Sequence, residues 1–502
     1  MLRKFVPFLI MAALFLKIPI YGDSFFFEDP FFLSPYSWGN PAYLIEERTP
    51  ELLKFQSLYY NEKGDYHSFL MPKSNSIFKQ SVSGKKEVKN KQFFKGDFAY
   101  IRHELKHTLM TKDIPFGMPF LLGDDEMGKQ EYDGLLLNGE FCSPSYVKNM
   151  NWGFQIDYYV DDGVKDDFPH PTANHNLLNV NLGIDYHFNS LFHLGIFSGF
   201  YQGNEEISYR EDKSKAKVPI IQKYNHFSFP EEYEKNTETR ILDENGFRLN
   251  FTLRYPFLQG TSLTAFTWTN SNKKFKDNGS DPYQAGDWEN NHFLFSHGAV
   301  YDFKNLRFRV QSDYQYENPV SRHPLYQLTI ADIQNWKHSP YLVISLNQFE
   351  KILPVFSGGC SWEGMDFYDG QGQSHWKNNY FIYFFKPEFR MEWNRFLYSI
   401  DCSYQYKTYD KKMLERYNTQ EDFGKMNELW DFYFCDTEMF RVSGMMVLKT
   451  ENKGFYSLKI IYEREKVKDQ WNKEFIGKTR NQFYAVLDIY FDLYSFTKEG
   501  SQ

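Results

Sequence analysis

Two histidines four residues apart are the first place in this chain where residue type and spacing suggest chemistry. His103-Glu104-Leu105-Lys106-His107 has the H-E-x-x-H spacing. On a helix, that spacing turns both imidazoles toward one metal ion and leaves the glutamate as a general base. The preceding Phe98-Ala99-Tyr100-Ile101 reads as strand instead. In a strand the two rings stand roughly 13 Å apart on one face, too far to share a zinc. Met110 also occupies the position where the longer zinc-protease pattern needs glycine. The expectation is a chance match at a strand end, with no catalytic residue, metal or cofactor. A zinc-dependent outer-membrane peptidase is the remote alternative.

A second set of residues is charged and sits inside alternating segments. Arg248, Arg254, Arg307 and Arg309 face one way along their segments, as do Asp157, Asp185, Asp313, Asp401, Asp488 and Asp492. If that face lines a water-filled lumen, opposed basic and acidic rows set a transverse field that sorts solutes. Pairing across the lumen to stiffen the wall is the plainer use of the same charges.

A third candidate is the loop from Thr111 to Glu131. It joins the apolar Pro115-Phe116-Gly117-Met118-Pro119-Phe120 to the acidic Gly123-Asp124-Asp125-Glu126 and Glu131. An apolar loop of this length either folds inward as a constriction, meets a partner, or packs at a rim. Its acids lack the spacing of a known calcium loop. Trp288, Trp336, Trp362, Trp376, Trp430 and Trp471 fall in polar stretches, where indoles stack on sugars or anchor a membrane interface.

The elements that must position these residues alternate with period two. Leu178, Val180, Leu182, Ile184, Tyr186 and Phe188 interleave with Asn179, Asn181, Gly183, Asp185 and His187. The same pattern runs over 245–256, 305–316, 395–407 and 481–494. Each run is about 10 residues, the length a tilted strand needs to cross the hydrocarbon layer. Connections alternate between tight links, such as Asn189-Ser190 and Asn394-Arg395, and long polar stretches, such as 203–245 and 409–436. Short turns on one side and long loops on the other predict a transmembrane antiparallel β-barrel of about 16 strands, within 14–18. A further pair near 52–61 and 65–71 is available to the wall.

Composition agrees with that class. Mean hydropathy is −0.60, yet 20% of residues are aromatic. Disordered chains lack the aromatics, whereas a membrane barrel needs aromatic girdles outside and polar groups inside. After Leu16 no apolar run is long enough for a membrane helix. A net charge of −8 argues against nucleic acid as partner. The four cysteines, Cys142, Cys360, Cys402 and Cys435, are scattered without a disulfide or zinc pattern. Cys402 falls on the apolar face of its segment. Residues 1–22 read as an export signal: Arg3 and Lys4, an apolar stretch to Leu16, then Gly22. Residues 23–94 read as an N-terminal segment, 95–496 as the barrel and 497–502 as a tail. For the apolar start of 23–94, a plug in the lumen, a periplasmic segment and a disordered leader all remain open.

Two resemblances join these readings. Trp38-Gly39-Asn40-Pro41-Ala42 resembles the Asn-Pro-Ala element of fatty-acid-transporter-like outer-membrane barrels, whose N-terminal segment enters the barrel as a hatch. A broader likeness, from Phe94 to about Tyr209, is to an uncharacterised outer-membrane barrel family of Bacteroidota, a domain of unknown function. It is carried by Gly96-Asp97-Phe98-Ala99-Tyr100, Pro119 to Asp125, Leu137-Asn138-Gly139-Glu140-Phe141, Trp152-Gly153-Phe154, and Asp167 to Asn174. In the last stretch His170 replaces an arginine of the family pattern. The resemblance implies the fold and the outer membrane of a Gram-negative bacterium, and supplies no activity. The expected function is a passive pore or transporter for an unknown small solute, in contact with outer-membrane lipid. A closed barrel scaffolding a surface protein complex is the alternative.

Overall fold

In the computed structural model, 18 strands form one sheet that closes on itself. The structure describes residues 40–45, 52–65, 72–89, 91–106, 119–124, 128–145, 147–166, 170–189, 192–209, 220–224, 231–234, 238–257, 260–277, 283–303, 305–323, 329–346, 352–370, 374–416, 435–450, 454–469 and 479–492. The export signal and the aromatic stretch 25–35 lie outside the described residues, as do His107, Trp430 and Trp471.

In chain order the strands are β1 (Leu52–Gly64), β2 (Ser74–Lys89), β3 (Gln92–Lys106), β4 (Leu121–Asp124), β5 (Lys129–Pro144), β6 (Met150–Lys165) and β7 (Thr172–His187). They continue with β8 (His193–Tyr209), β9 (Ile220–Tyr224), β10 (Glu231–Glu234), β11 (Glu238–Phe257), β12 (Gly260–Asp277), β13 (Tyr283–Phe303) and β14 (Leu306–Arg322). The last seven are β15 (Thr329–Leu346), β16 (Ile352–Asp369), β17 (Ser374–Trp393), β18 (Phe396–Arg416), β19 (Asp436–Lys449), β20 (Phe455–Asp469) and β21 (Thr479–Asp492). Each wall strand pairs antiparallel with its neighbours, and β21 returns to β1 with Leu52 opposite Asp492. Strands β4, β9 and β10 form a separate three-stranded sheet among the long loops.

Parity decides which face meets lipid. Along β6, Trp152, Phe154, Ile156 and Tyr158 are exposed, as are Leu178, Leu182 and Ile184 on β7 and Phe247 and Phe251 on β11. A monomeric soluble protein does not carry an apolar belt of this extent, and a closed barrel places it against hydrocarbon. Phe188, Phe257, Phe303 and Trp393 are exposed where their strands end at short turns, an aromatic girdle at that rim. Wall strands of 13 to 21 residues exceed the roughly 10 needed to cross, so their long-loop ends stand clear of the bilayer.

The count of 18 reaches the upper end of the expected range because β1 and β2 both join the wall. The N-terminal segment expected over 23–94 is therefore cut short, and the wall begins at Leu52. Strand β2 escaped the pattern because its outward face, Phe78-x-Gln80-x-Val82-x-Gly84-x-Lys86, is only partly apolar. Its register against Tyr59, Ser57 and Phe55 of β1 supplies the missing alternation.

The seam between the chain's first and last strands is held inside by an ion pair. Arg480 Nε donates to Glu62 Oε1 at 2.5 Å, Gln482 Nε2 donates to the same oxygen at 2.7 Å, and both charged side chains are buried. Removing one partner leaves the other charge buried alone. Arg480→Met is therefore expected to destabilise closure by about 3 kcal/mol. The readout is loss of the fast-migrating unboiled band at lower denaturant than wild type; an unchanged midpoint contradicts the expectation.

Candidate functional site

The site begins with a short turn that sequence pattern could not place. Asn40 precedes a 3-10 turn over Pro41–Ile45 and caps it. Its Oδ1 accepts the Ala42 N–H at 3.0 Å, and its carbonyl accepts the Tyr43 N–H at 3.1 Å. Proline suits the first position of such a turn, where an N–H has no partner to lose. Asn40 through Leu44 are almost fully buried.

The turn lies on the inner face of the barrel, near the short-turn rim. Asn40 Nδ2 donates to the Ile184 carbonyl at 3.1 Å and to that of Ile196 at 3.4 Å. Tyr43 Oη shares a 2.5 Å hydrogen bond with Thr252 Oγ1, and the Cys142 thiol donates to the Ala42 carbonyl at 3.1 Å. Three glycines on inward parity make the seat: Gly153 on β6, Gly183 on β7 and Gly195 on β8. A Cβ on Gly153 would come within 2.6 Å of the Pro41 carbonyl carbon and oxygen. One on Gly183 would strike Asn40 Oδ1, and one on Gly195 the Tyr43 hydroxyl. The apolar start to which the three readings apply lies outside the described residues; Asn40 to Leu44 lie on the inner face of the wall.

A second inward element lies at the long-loop end. Leu122 of β4 joins Leu105, Tyr132, Ala173, Ile207 and Tyr209 in an apolar cluster on the inner faces of β3, β5, β7 and β8. Two residues earlier, Phe120 packs on Phe275 of β12 with ring centroids 4.8 Å apart, directly over Gly286 of β13. The segment thus bridges separate parts of the wall. Pro119 and Gly123 are buried along it, and Asp124 ends β4 opposite Ile221 of β9.

Beside the seat of the N-terminal turn, two histidines and an aspartate converge. Asp185 and His187 are two apart on β7 and so share the inner face. His193 of β8 is the direct cross-strand partner of His187, with ring centroids 4.0 Å apart. His187 Nε2 lies against Asp185 Oδ2, and His193 Nδ1 is 3.6 Å from the same oxygen. The ligand atoms of all three lie within 4.8 Å of one another. Arg254 Nη2 approaches His193 Nε2 at 2.6 Å, and Asn151 Nδ2 approaches His187 Nε2 at 3.1 Å.

A family model matches residues 41–491, beginning at the proline of the capped turn and ending on the last strand. It describes a family of unknown function, DUF6850. The chain belongs to that family. No curated protein matches this DUF6850 chain. Solved structures similar to it include the BauA ferric preacinetobactin receptor from Acinetobacter baumannii, at 7% identity and TM-score 0.37 over 88% of this chain and 80% of that one. The outer-membrane transporter YddB from Escherichia coli matches at 5% identity and TM-score 0.40, over 89% and 81%. The ferric citrate transporter FecA matches at 7% and 0.37, over 89% and 79%.

Within the DUF6850 barrel, the charged candidates occupy inward parity but not opposed rows. Asp185 on β7 and Arg254 on β11 approach each other through His193, on strands that are near neighbours. Asp157 is held by amides, accepting from Gln155 Nε2 at 3.2 Å, from Asn179 Nδ2 at 2.8 Å and from Asn138. Arg248 is exposed on the same strand as Arg254. Arg307 pairs with Asp302 of its own hairpin at 2.5 Å, at the short-turn rim. Arg309 and Asp313 share β14, where Asp313 accepts from Gln311 Nε2 at 2.9 Å. Local pairing along and between neighbouring strands replaces the transverse arrangement, because hairpin neighbours are the nearest available partners.

Other candidates shift. Glu131 is a residue of strand β5, not of a loop, and pairs on the outer face with Arg102 at 2.7 Å and with Lys129. Trp288, Trp336, Trp362 and Trp376 also lie in strands, and Trp288 and Trp376 are buried. His170 turns back at the β6–β7 loop with φ 53°, its Nδ1 at 3.2 Å from the Lys165 carbonyl.

The H-E-x-x-H residues among those described are strand residues, with His103 and Glu104 on opposite faces of β3. His103 Nε2 contacts Asn75 Oδ1 at 2.7 Å. The Glu104 carboxylate is ion-paired with Lys129 at 3.0 Å and Lys106 at 3.3 Å. A carboxylate so held is a poor proton acceptor.

Proposed function

We propose that this chain is an outer-membrane transport barrel for a small solute, gated at both ends of its lumen instead of standing freely open. The observation that carries the reading is the capped turn Asn40–Ile45, buried on a glycine seat inside the wall. A stiffening element needs no such seat. Glycines at three inward positions cost strand stability, and here they make room for a segment that is held by four hydrogen bonds and is not part of the wall. The bridge through Phe120 and Leu122 supports a second constriction at the outer mouth. An apolar outer belt with an aromatic girdle supports the bilayer as the barrel's solvent.

Single-channel current in a planar bilayer tests the reading. The full-length protein is expected to pass little steady current, and a variant lacking residues 23–45 is expected to pass at least about tenfold more. That deletion stops short of β1 and leaves every wall strand intact. Large steady current in the full-length form returns the passive pore. Silence in both forms, with fast-migrating folded barrel on an unboiled gel, sinks transport and favours a closed scaffold for a surface complex.

A further inference from the structure

We infer that Asp185, His187 and His193 form a binding site for a divalent transition-metal ion on the inner face of the β7–β8 hairpin. Two imidazole nitrogens and one carboxylate oxygen are a donor set suited to zinc, nickel or copper and poorly suited to calcium or magnesium. The hairpin produces it from sequence alone. Asp185 and His187 are two residues apart along a strand, and the short turn sets His193 across from His187. Donor atoms on a tetrahedral ion sit roughly 3.4 Å apart when bonds are about 2.1 Å. Here they already lie within 4.8 Å of one another, so closing on an ion needs side-chain rotation only.

Two further observations point to a ligand. Asp185 is fully buried, yet neither of its carboxylate oxygens has a hydrogen-bond donor aligned on it. A buried carboxylate in that condition is costly unless a cation answers it. His187 keeps a quarter of its side-chain surface exposed, which leaves the hairpin reachable by an ion. Arg254 brings a fixed positive charge to His193, its Nη2 2.6 Å from the ring Nε2. A metal on His193 Nδ1 puts the ring proton on Nε2, facing the guanidinium, so binding requires Arg254 to swing away. The site therefore exchanges one cation for another, and Arg254 competes with the metal.

Its position gives the ion a structural consequence. Asn40 hangs on the carbonyls of Ile184 and Ile196, on the same two strands. Gly183, under Asn40, is two residues from Asp185. An ion joining β7 to β8 at this point stiffens the seat of the N-terminal turn.

The test uses untagged full-length protein in detergent, stripped with chelator, and titrated calorimetrically with Zn²⁺ or Ni²⁺ alone. One ion per chain is expected. His187→Ala, His193→Ala and Asp185→Asn should each weaken binding about tenfold or more, and Arg254→Gln should tighten it several-fold. Heat-modifiable gel migration checks that each variant is folded. If a variant does not fold, acylation of His187 and His193 by diethylpyrocarbonate is followed by mass spectrometry in wild type, where Zn²⁺ should protect both. No binding, binding unchanged in the His187→Ala/His193→Ala double variant, weaker binding in Arg254→Gln, or acylation indifferent to Zn²⁺ would each overturn the assignment. None of these readouts requires the barrel to conduct, so failure here is distinct from failure of the transport reading.

Discussion

In a Gly153→Val protein, the Cys142 thiol is expected to react with a water-soluble maleimide about a hundred times faster than in wild type. Cys142 is fully buried beneath the capped turn, and its thiol is hydrogen-bonded to the Ala42 carbonyl. Reagent reaches it when the turn lifts. A Cβ on Gly153 cannot coexist with the seated turn, since it would lie 2.6 Å from backbone atoms of Pro41 and neither backbone has room to give. The wall itself tolerates the change, because Val is a strand former. An overlap of this kind costs roughly 3 kcal/mol or more, and each 1.4 kcal/mol moves an opening equilibrium about tenfold. A graded series makes the mechanism testable. Tyr43→Phe removes only the hydroxyl bonded to Thr252, a contribution of about 1.5 kcal/mol, and should accelerate labelling about tenfold. Gly444→Ala, where a Cβ meets nothing within 4 Å, should leave the rate unchanged. The experiment runs in a Cys360→Ala, Cys402→Ala, Cys435→Ala background with the folded barrel confirmed by unboiled gel migration. Equal labelling of Gly153→Val and wild type would show that the turn does not guard Cys142.

How much of this was written in the sequence differs by element. The wall was legible because period-two alternation and unequal connections are local consequences of lipid outside and water inside. Phe396 to Lys407 and Leu178 to Phe188 needed no partner to be recognised. Strand β2 was not legible, because Gln80 and Lys86 on its outer face break the alternation that its neighbours restore. The lumen closures were hidden for a different reason. Asn40-Pro41-Ala42 announces a capped turn, but its seat is made of residues more than 100 positions away, and a glycine in a strand is silent about what it makes room for. The charged residues share a face by parity, and their partners lie on neighbouring strands. Parity fixes a face, whereas pairing depends on strand register, and Arg254 meets His193 only because β8 pairs with β11 across a 28-residue excursion. The Asp185, His187 and His193 cluster was only half legible. Period two puts Asp185 and His187 on one face, but a two-residue link at Asn189-Ser190 sets His187 opposite Phe192; the observed link is one residue longer and sets it opposite His193.

At the other end of the lumen, Phe120→Ala should free β4 from the wall without opening the barrel's sheet. The Phe120 ring is fully buried between Phe275 and Gly286, and it is the anchor on the β12–β13 side. Truncating such a ring costs about 3–5 kcal/mol. That loss falls on a four-residue strand held otherwise by pairing with β9 and by Leu122, so it is spent on local detachment. The wall, where Phe275 pairs with Gly286 just before a register shift at Lys276, keeps its long run of pairing from Gly260 to Phe275. Limited proteolysis of intact cells or liposomes is expected to cut within 107–128 at least about tenfold faster than in wild type, while unboiled gel migration stays fast. Gly286→Ala attacks the same contact from the opposite side, because its Cβ would enter the ring of Phe120. It should produce the same cleavage pattern with Phe120 intact. Agreement between a variant that empties the pocket and one that fills it identifies the contact, and not a general weakening, as the hold on β4. If the transport reading is right, two closures in series also make a combined prediction for current. Phe120→Ala alone should add little while the Asn40–Ile45 turn remains seated, and should add most in the Gly153→Val protein. Simple additivity of the two conductance changes would mean that the closures do not lie on one path.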